Sequence, residues 1–181
     1  SIGKQKKLIP INHLQAHLLS PRLTSNLSFP YLCLLVSGGN TALVLVKSPK
    51  KFITLGSTID DSAGECFDKV SKALGLGYPG GPIIEKLALK GDRYKYKLPL
   101  PLTKVKNCNF SFSGLKTAAI DIIKKKRANK KFLENFCASF QYTVGEIFKK
   151  KIENSLDEMN YKGIKFKDFS ICGGVAANQY L

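Results

Sequence analysis

Two apolar runs, Tyr31–Val36 and Ala42–Val46, flank the polar string Ser37-Gly38-Gly39-Asn40-Thr41. β-Rich runs around a Gly-Gly-Asn turn predict a hairpin, and Phe52–Ser57 predicts a third strand. Elsewhere the apolar period lengthens to three or four residues. Leu14, Leu18 and Leu19 predict a short helix over Pro10–Ser20; Ala63, Phe67, Val70 and Leu74 predict another over Asp60–Gly75, ended by Gly75. Pro82–Lys90 reads as a helix stopped by Gly91, and Pro99 and Pro101 disfavour regular structure over 92–110. Ser113 stands as the cap of a helix running to Lys126. A long amphipathic helix is predicted from Lys131 to Met159, with Gly145 as its breaking point. Phe169–Cys172 predicts a short strand, after which Gly173-Gly174 leads to a helix beginning at Ala176. Strands and helices alternate after the hairpin, which predicts an α/β fold with a mixed sheet.

Composition narrows the class. The 181 residues are one domain's worth, with 44% apolar and 23% charged residues, as in a globular protein. No apolar run approaches the ~18–20 residues of a membrane helix. The start, Ser1-Ile2-Gly3-Lys4, carries no apolar signal region. Five scattered cysteines without a C-x-x-C pair argue against a disulfide framework or a zinc ribbon, and read as reduced core and surface thiols. The expected compartment is the cytoplasm, with an organellar matrix as the alternative. A net charge of +16 suits a polyanionic partner such as nucleic acid. It suits a general lysine bias equally, because Arg22, Arg93 and Arg127 are the only arginines.

Three double glycines are candidate chemistry: Gly38-Gly39 after a strand, Gly80-Gly81 before a helix, and Gly173-Gly174 between strand and helix. Such turns let backbone N–H groups cradle an anion. None is a Walker loop or a G-x-G-x-x-G, and singly each reads as a structural turn. Two directly after apolar strands point to a phosphate or nucleotide cleft at strand ends. His13 and His17, the only histidines, lie at i and i+4, a spacing that places two imidazoles on one helix face and suits a shared metal ion. The same spacing fits a pair of exposed helix histidines. Leu14 occupies the position of the general base in a His-Glu-x-x-His protease, which removes that chemistry.

Asp60, Asp61, Glu65 and Asp68 gather four of the thirteen acids into nine residues. Asp60 and Asp61 read as first-turn acids favoured by the helix dipole. Asp68 reads either as a partner of Lys72 or as a carboxylate at a cleft. Phe110 and Phe112 read as core anchors. The runs Lys124–Arg127 and Lys149–Lys151 read as solvated helix faces.

Six segments in order resemble one family: Asn12–His17 (NHLQAH), Leu35–Gly39 (LVSGG), Ser57–Lys69 (STIDDSAGECFDK), Tyr78–Pro82 (YPGGP), Phe110–Thr117 (FSFSGLKT) and Gly173–Asn178 (GGVAAN). The family is the tRNA adenosine threonylcarbamoyltransferases, formerly described as O-sialoglycoprotein endopeptidases, and the bacterial and organellar branch is the nearer match. The resemblance implies an actin-like ATPase (ribonuclease-H-like) fold with a nucleotide cleft between two lobes. It implies one divalent metal ion, iron ahead of zinc, on His13 and His17. It also implies that Leu35, Val36, Ser37, Gly38, Gly39, Asp68, Gly81 and Asn178 contact a threonylcarbamoyl-adenylate. Glu85 falls where some members place an acid for the same purpose. Implied partners are tRNA and accessory subunits, with no membrane. Family members have a longer N-terminal portion with a first phosphate loop and a C-terminal aspartate as third metal ligand, so the chain is expected to be one fragment (1–181) of a two-lobed transferase. Asn40 stands where a histidine is common.

The chemistry is coherent. An exocyclic amine is a poor nucleophile, so the carbamoyl carbon must be activated, and adenylation supplies the leaving group. Apposed glycine loops stabilise charge on the departing phosphate. With no nucleophile–base pair in view, direct transfer is expected, and no residue stands out as general base. The competing expectations are an ATPase or small-molecule kinase of the same fold and an inactive remnant. One geometric expectation underlies the transferase reading: the twin imidazoles and the glycine-walled hollow should face a common pocket.

Overall fold

A computed structural model describes residues 10–181. Its centre is a four-stranded mixed sheet of β1 (Tyr31–Val36), β2 (Thr41–Ser48), β3 (Lys51–Ser57) and β4 (Asp168–Cys172), in the order β3-β2-β1-β4. β1 and β2 form the expected antiparallel hairpin, with Tyr31 opposite Val46 and Val36 opposite Thr41. β4 runs parallel to β1, with Tyr31 opposite Asp168 and Leu35 opposite Cys172. The crossover between them carries four helices, α2 (Ala63–Ala73), α3 (Gly80–Ala88), α4 (Ser113–Lys124) and α5 (Lys130–Tyr161).

The continuous apolar run of β1 is explained by burial on both faces. Leu32, Leu34 and Val36 join Leu43 and Leu45 in the main core against the crossover helices. Tyr31, Cys33 and Leu35 join Val44, Val46 and Cys172 in a smaller core beneath α1 (His13–Leu19). Asn12 caps α1 by accepting from the N–H groups of Leu14 and Gln15. The Tyr31 hydroxyl donates to Leu18 O at 2.7 Å, tying α1 to the sheet.

Several expectations are corrected. α2 begins at Ala63, not at Asp60, because Ser62 and Glu65 form a reciprocal capping box. Asp60 and Asp61 therefore precede the helix, and their roles are tertiary. Ser113 is the first residue of α4 and does not cap it. Instead Asp60 accepts from the N–H groups of Phe112 (2.8 Å) and Ser113 (3.3 Å) and from the Ser111 hydroxyl. α5 is unbroken at Gly145 and is not simply amphipathic, since eight consecutive residues, Glu134–Gln141, are buried. That helix runs through the middle of the domain, where its Asn135 and Ser139 bond the backbone of Asp92 and Tyr96. Lys151 is no solvated lysine: it is buried, and its ammonium donates to the carbonyls of Leu102, Val105 and Asn107. The run Lys124–Arg127 lies at and beyond the end of α4, not along a helix face. All five cysteines are free and buried, so none is a surface thiol. The helix expected at Ala176 is a single 3-10 turn over Gly174–Ala177. Phe110 and Phe112 are core anchors as expected, both packed edge-on against Phe148.

Candidate functional site

Where β1 and β4 end side by side, the chain leaves the sheet as two glycine turns. Gly173 has φ 100°, and a Cβ there would strike the backbone of Val36. Only glycine lets these strand ends meet so closely. Gly64, in the first turn of α2, sits against the same loop: a Cβ would lie 2.5 Å from Ser37 O and 2.7 Å from Gly38 Cα. The Ser62 hydroxyl donates to Gly38 O at 2.6 Å and fixes the turn to the helix cap. Gly80 likewise allows α3 to rest on α2, where a Cβ would lie 2.6 Å from Phe67 O. The remaining member of each pair is different. Gly39, Gly81 and Gly174, and Gly38 too, have open space where a Cβ would stand.

These turns enclose a cavity of about 490 Å³ lined by residues from all three double glycines, Gly38, Gly81 and Gly174, together with Asp68, Glu85 and Asn178. The N-termini of α2 and α3 both border it through Gly64 and Gly81. The first N–H groups of a helix have no intrahelical acceptor and carry partial positive charge. Gly80 N–H is spent on Asp68 Oδ1 at 2.7 Å, and Pro79 and Pro82 have none, which leaves that of Gly81 for an anion. Asp68 is thus held at the rim of the cavity by one oxygen, with no ion pair to Lys72 among the described residues. The Asn178 amide donates to Gln141 Oε1 at 2.8 Å, and Glu85 Oε1 accepts from Gln179 N–H at 2.6 Å. Both side chains therefore bind the last residues of the chain to α3 and α5 as well as lining the hollow.

Other expected positions lie elsewhere. Leu35 and Val36 are buried in β1 with side chains in opposite cores, so only their backbone can serve the hollow. Ser37 Oγ accepts from Asn40 N–H and closes the turn. Gly39 and Leu35 border a separate groove beneath α1 with Leu14 and Gln15. His13 and His17 stand with ring centroids 4.6 Å apart, His13 exposed and His17 half-buried. Among the described residues no third His, Cys, Asp or Glu completes a metal site. The imidazoles line neither the hollow nor the groove. α1 lies on the sheet face opposite α2–α5, so the expected common pocket is not formed within these residues. The physical reason is the odd–even alternation of β1, which sends α1 and the crossover helices to opposite faces.

Sequence reasoning missed the supports of the site. Asp61 accepts from Lys69 at 2.7 Å and from Lys116, joining α2 to α4. Burial pushes its carboxyl up, but the hydrogen bonds from Lys116 and Lys69 outweigh this and hold it below the usual carboxylate range. Cys66, one turn into α2, has its thiol pushed up to about 12 by burial, which disfavours the thiolate. No helix among the described residues is long and apolar enough to cross a membrane.

Comparison with known proteins places this architecture. The profile of one family, tRNA N6-adenosine threonylcarbamoyltransferase, matches residues 1–181. Proteins named tRNA N6-adenosine threonylcarbamoyltransferase are 46% identical over 177 residues in Wolbachia pipientis wMel (98% of this chain, 53% of the relative) and 50% over 183 residues in Orientia tsutsugamushi strain Boryong (97% and 53%). A third, in Rickettsia peacockii strain Rustic, is 49% identical over 184 residues, covering 100% of this chain and 54% of its own length. The chain spans about half the length of these curated relatives. A mixed sheet with helices on both faces agrees with the actin-like fold of that family. With the profile matched from end to end, the chain belongs to the tRNA N6-adenosine threonylcarbamoyltransferase family, a family of acyltransferases.

Proposed function

We propose that the whole protein transfers a threonylcarbamoyl group from threonylcarbamoyl-adenylate to the exocyclic amine of the adenosine next to the anticodon, in tRNAs that read codons beginning with A. The observation that carries this reading is the single cavity into which all three glycine turns open, with two helix N-termini at its wall. Its volume suits a nucleotide-sized ligand. Gly38 and Gly174 bring backbone close to the adenylate phosphate, and Gly81 N–H at the start of α3 faces the same charge. The free oxygen of Asp68 takes a ribose hydroxyl. Glu85 and Asn178 close the far wall, and their bonds to Gln179 and Gln141 hold that wall rigid.

In the transfer step the amine nitrogen attacks the carbamoyl carbon, the bond to the phosphate oxygen breaks, and the amine proton leaves. The departing adenylate gains negative charge where the glycine amides and helix termini already point, which costs no reorganisation at the moment of reaction. His13 and His17 would supply two of the ligands of a divalent ion, iron ahead of zinc, with the remainder of the protein supplying the rest along with a first phosphate loop. Such an ion would supply Lewis-acid polarisation of a carbonyl. Accessory subunits that make the adenylate, and a site of action in the cytoplasm or an organellar matrix, complete the reading.

The test is mass spectrometry of tRNA from cells in which the full-length protein replaces the resident enzyme. Threonylcarbamoyladenosine beside the anticodon is expected, and its loss on Asp68→Ala. Unmodified adenosine with the wild-type protein overturns the proposal. ATP hydrolysis that ignores tRNA and is indifferent to His13→Ala would instead select a kinase-like enzyme of this fold.

A further inference from the structure

We infer that Ser62 is a positioning residue: its hydroxyl proton holds the peptide between Gly38 and Gly39 in the orientation that offers two backbone N–H groups to the phosphate of the acyl-adenylate. The inference deepens the transferase reading and rests on it, since that reading puts the phosphate at this turn.

The turn satisfies itself except at those two amides. Ser37 N–H donates to Asn40 O at 2.8 Å, and Asn40 N–H donates to Ser37 Oγ at 3.1 Å. Among the described residues the N–H groups of Gly38 and Gly39 have no acceptor. The carbonyls that precede them both face the start of α2. Ser37 O lies where a Cβ on Gly64 would meet it at 2.5 Å, and Gly38 O accepts from the Ser62 hydroxyl at 2.6 Å. In a trans peptide the N–H points opposite to the C=O, so the two amides point together away from α2. Successive N–H groups turned to one side make a concave anion site. Gly38 borders the hollow and Gly39 the groove beneath α1, which puts the pair of amides at the lip between them.

Nothing within the turn selects this arrangement. Gly38 and Gly39 carry no Cβ, and neither has φ in the left-handed region. A half-turn of the peptide between them would carry Gly39 toward positive φ, which glycine adopts without steric cost. It would also swing Gly38 O toward the phosphate and replace a donor by a repelling acceptor. The choice is made from α2. Ser62 is fully buried, and its Oγ accepts from Glu65 N–H at 3.1 Å as the helix cap. Capping needs only a lone pair, which an ionised Asp supplies as well; the hydroxyl adds a proton. Glu65 Oε2 stands 3.3 Å from Ser62 Oγ and already takes Ser62 N–H at 2.9 Å, so the proton goes to Gly38 O, the nearer acceptor. Thr41 anchors the other side of the turn to the same helix start, its Oγ1 accepting from Ala63 N–H at 2.9 Å.

The test is isothermal titration of AMP, adenosine and a non-hydrolysable adenylate analogue into the full-length protein, as wild type, Ser62→Gly and Ser62→Ala, with a urea midpoint for each. Both variants lack the proton, but glycine keeps most of the capping of α2 and alanine does not. Both are expected to weaken AMP and the analogue about fivefold or more while leaving adenosine within about twofold of wild type. The urea midpoint is expected to fall further in Ser62→Ala than in Ser62→Gly, so the loss of AMP affinity does not follow stability. Equal weakening of AMP and adenosine overturns the positioning role, and so does wild-type AMP affinity in Ser62→Gly. Wild-type protein that binds AMP no more tightly than adenosine overturns the adenylate reading of the hollow itself.

Discussion

Two glycines on the wall of the hollow should behave in opposite ways when given a methyl group. At Gly64 the added Cβ meets backbone, Ser37 O at 2.5 Å and Gly38 Cα at 2.7 Å, with no flexible side chain to yield. The turn and the first turn of α2 must separate by several tenths of an ångström. Overpacking of this kind costs about 1–3 kcal/mol. At Gly81 the added Cβ meets open space, and alanine is the better helix former by up to about 1 kcal/mol. Gly64→Ala should therefore lower the urea midpoint of the full-length protein, while Gly81→Ala should leave it equal or slightly higher. Ligand binding should not follow the same order. Gly81 borders the cavity, so its methyl displaces a ligand that needs close approach to the backbone, and a loss of about tenfold in affinity corresponds to about 1.4 kcal/mol. Urea unfolding and isothermal titration with an adenylate analogue, on both variants, separate these effects. Gly64→Ala with wild-type stability would refute the close packing of turn and helix. Undiminished analogue binding by Gly81→Ala would refute the hollow as the ligand site.

Other consequences are equally direct. Asp60→Ala removes the acceptor for Phe112 and Ser113 N–H and for Ser111, and should cost about 1–3 kcal/mol in unfolding free energy, with faster amide exchange at the start of α4. Lys151→Met leaves Leu102 O without its donor, while the Val105 and Asn107 carbonyls keep the Asn154 amide; a loss of about 1–3 kcal/mol is expected, with loosening around 102 visible by hydrogen exchange. The Asp61 carboxyl is held below its unfolded value, so its contribution to stability is present above about pH 4 and is lost as pH falls through the lower folded value. Urea midpoints measured from about pH 6 down to about pH 2.5 should fall more steeply for wild type than for Asp61→Asn.

Much of the fold was legible because its signals are local. Six apolar residues before a Gly-Gly-Asn turn make a β-hairpin wherever they occur, and the helical spacing of Ala63, Phe67, Val70 and Leu74 makes a helix without reference to anything distant. Gly38-Gly39 and Gly173-Gly174 were legible as turns for the same reason, whereas Gly80-Gly81 open α3, and the family followed from six motifs in order. What local patterns could not give is which groups meet across the chain. Asp60 reads as a first-turn acid of α2, yet it caps α4, 53 residues on, because the 107–112 segment folds back along β3. Lys151 belongs to a run that looks solvated, yet the helix carrying it passes through the core, where three loop carbonyls need a donor. The continuous apolar run of β1 was plain in the sequence, but only packing assigned one set of its side chains to α1 and the other to the crossover helices. That assignment put the histidines and the glycine hollow on different faces of one sheet. A motif states which atoms are present; burial and chain crossing, which depend on all residues at once, decide what those atoms face.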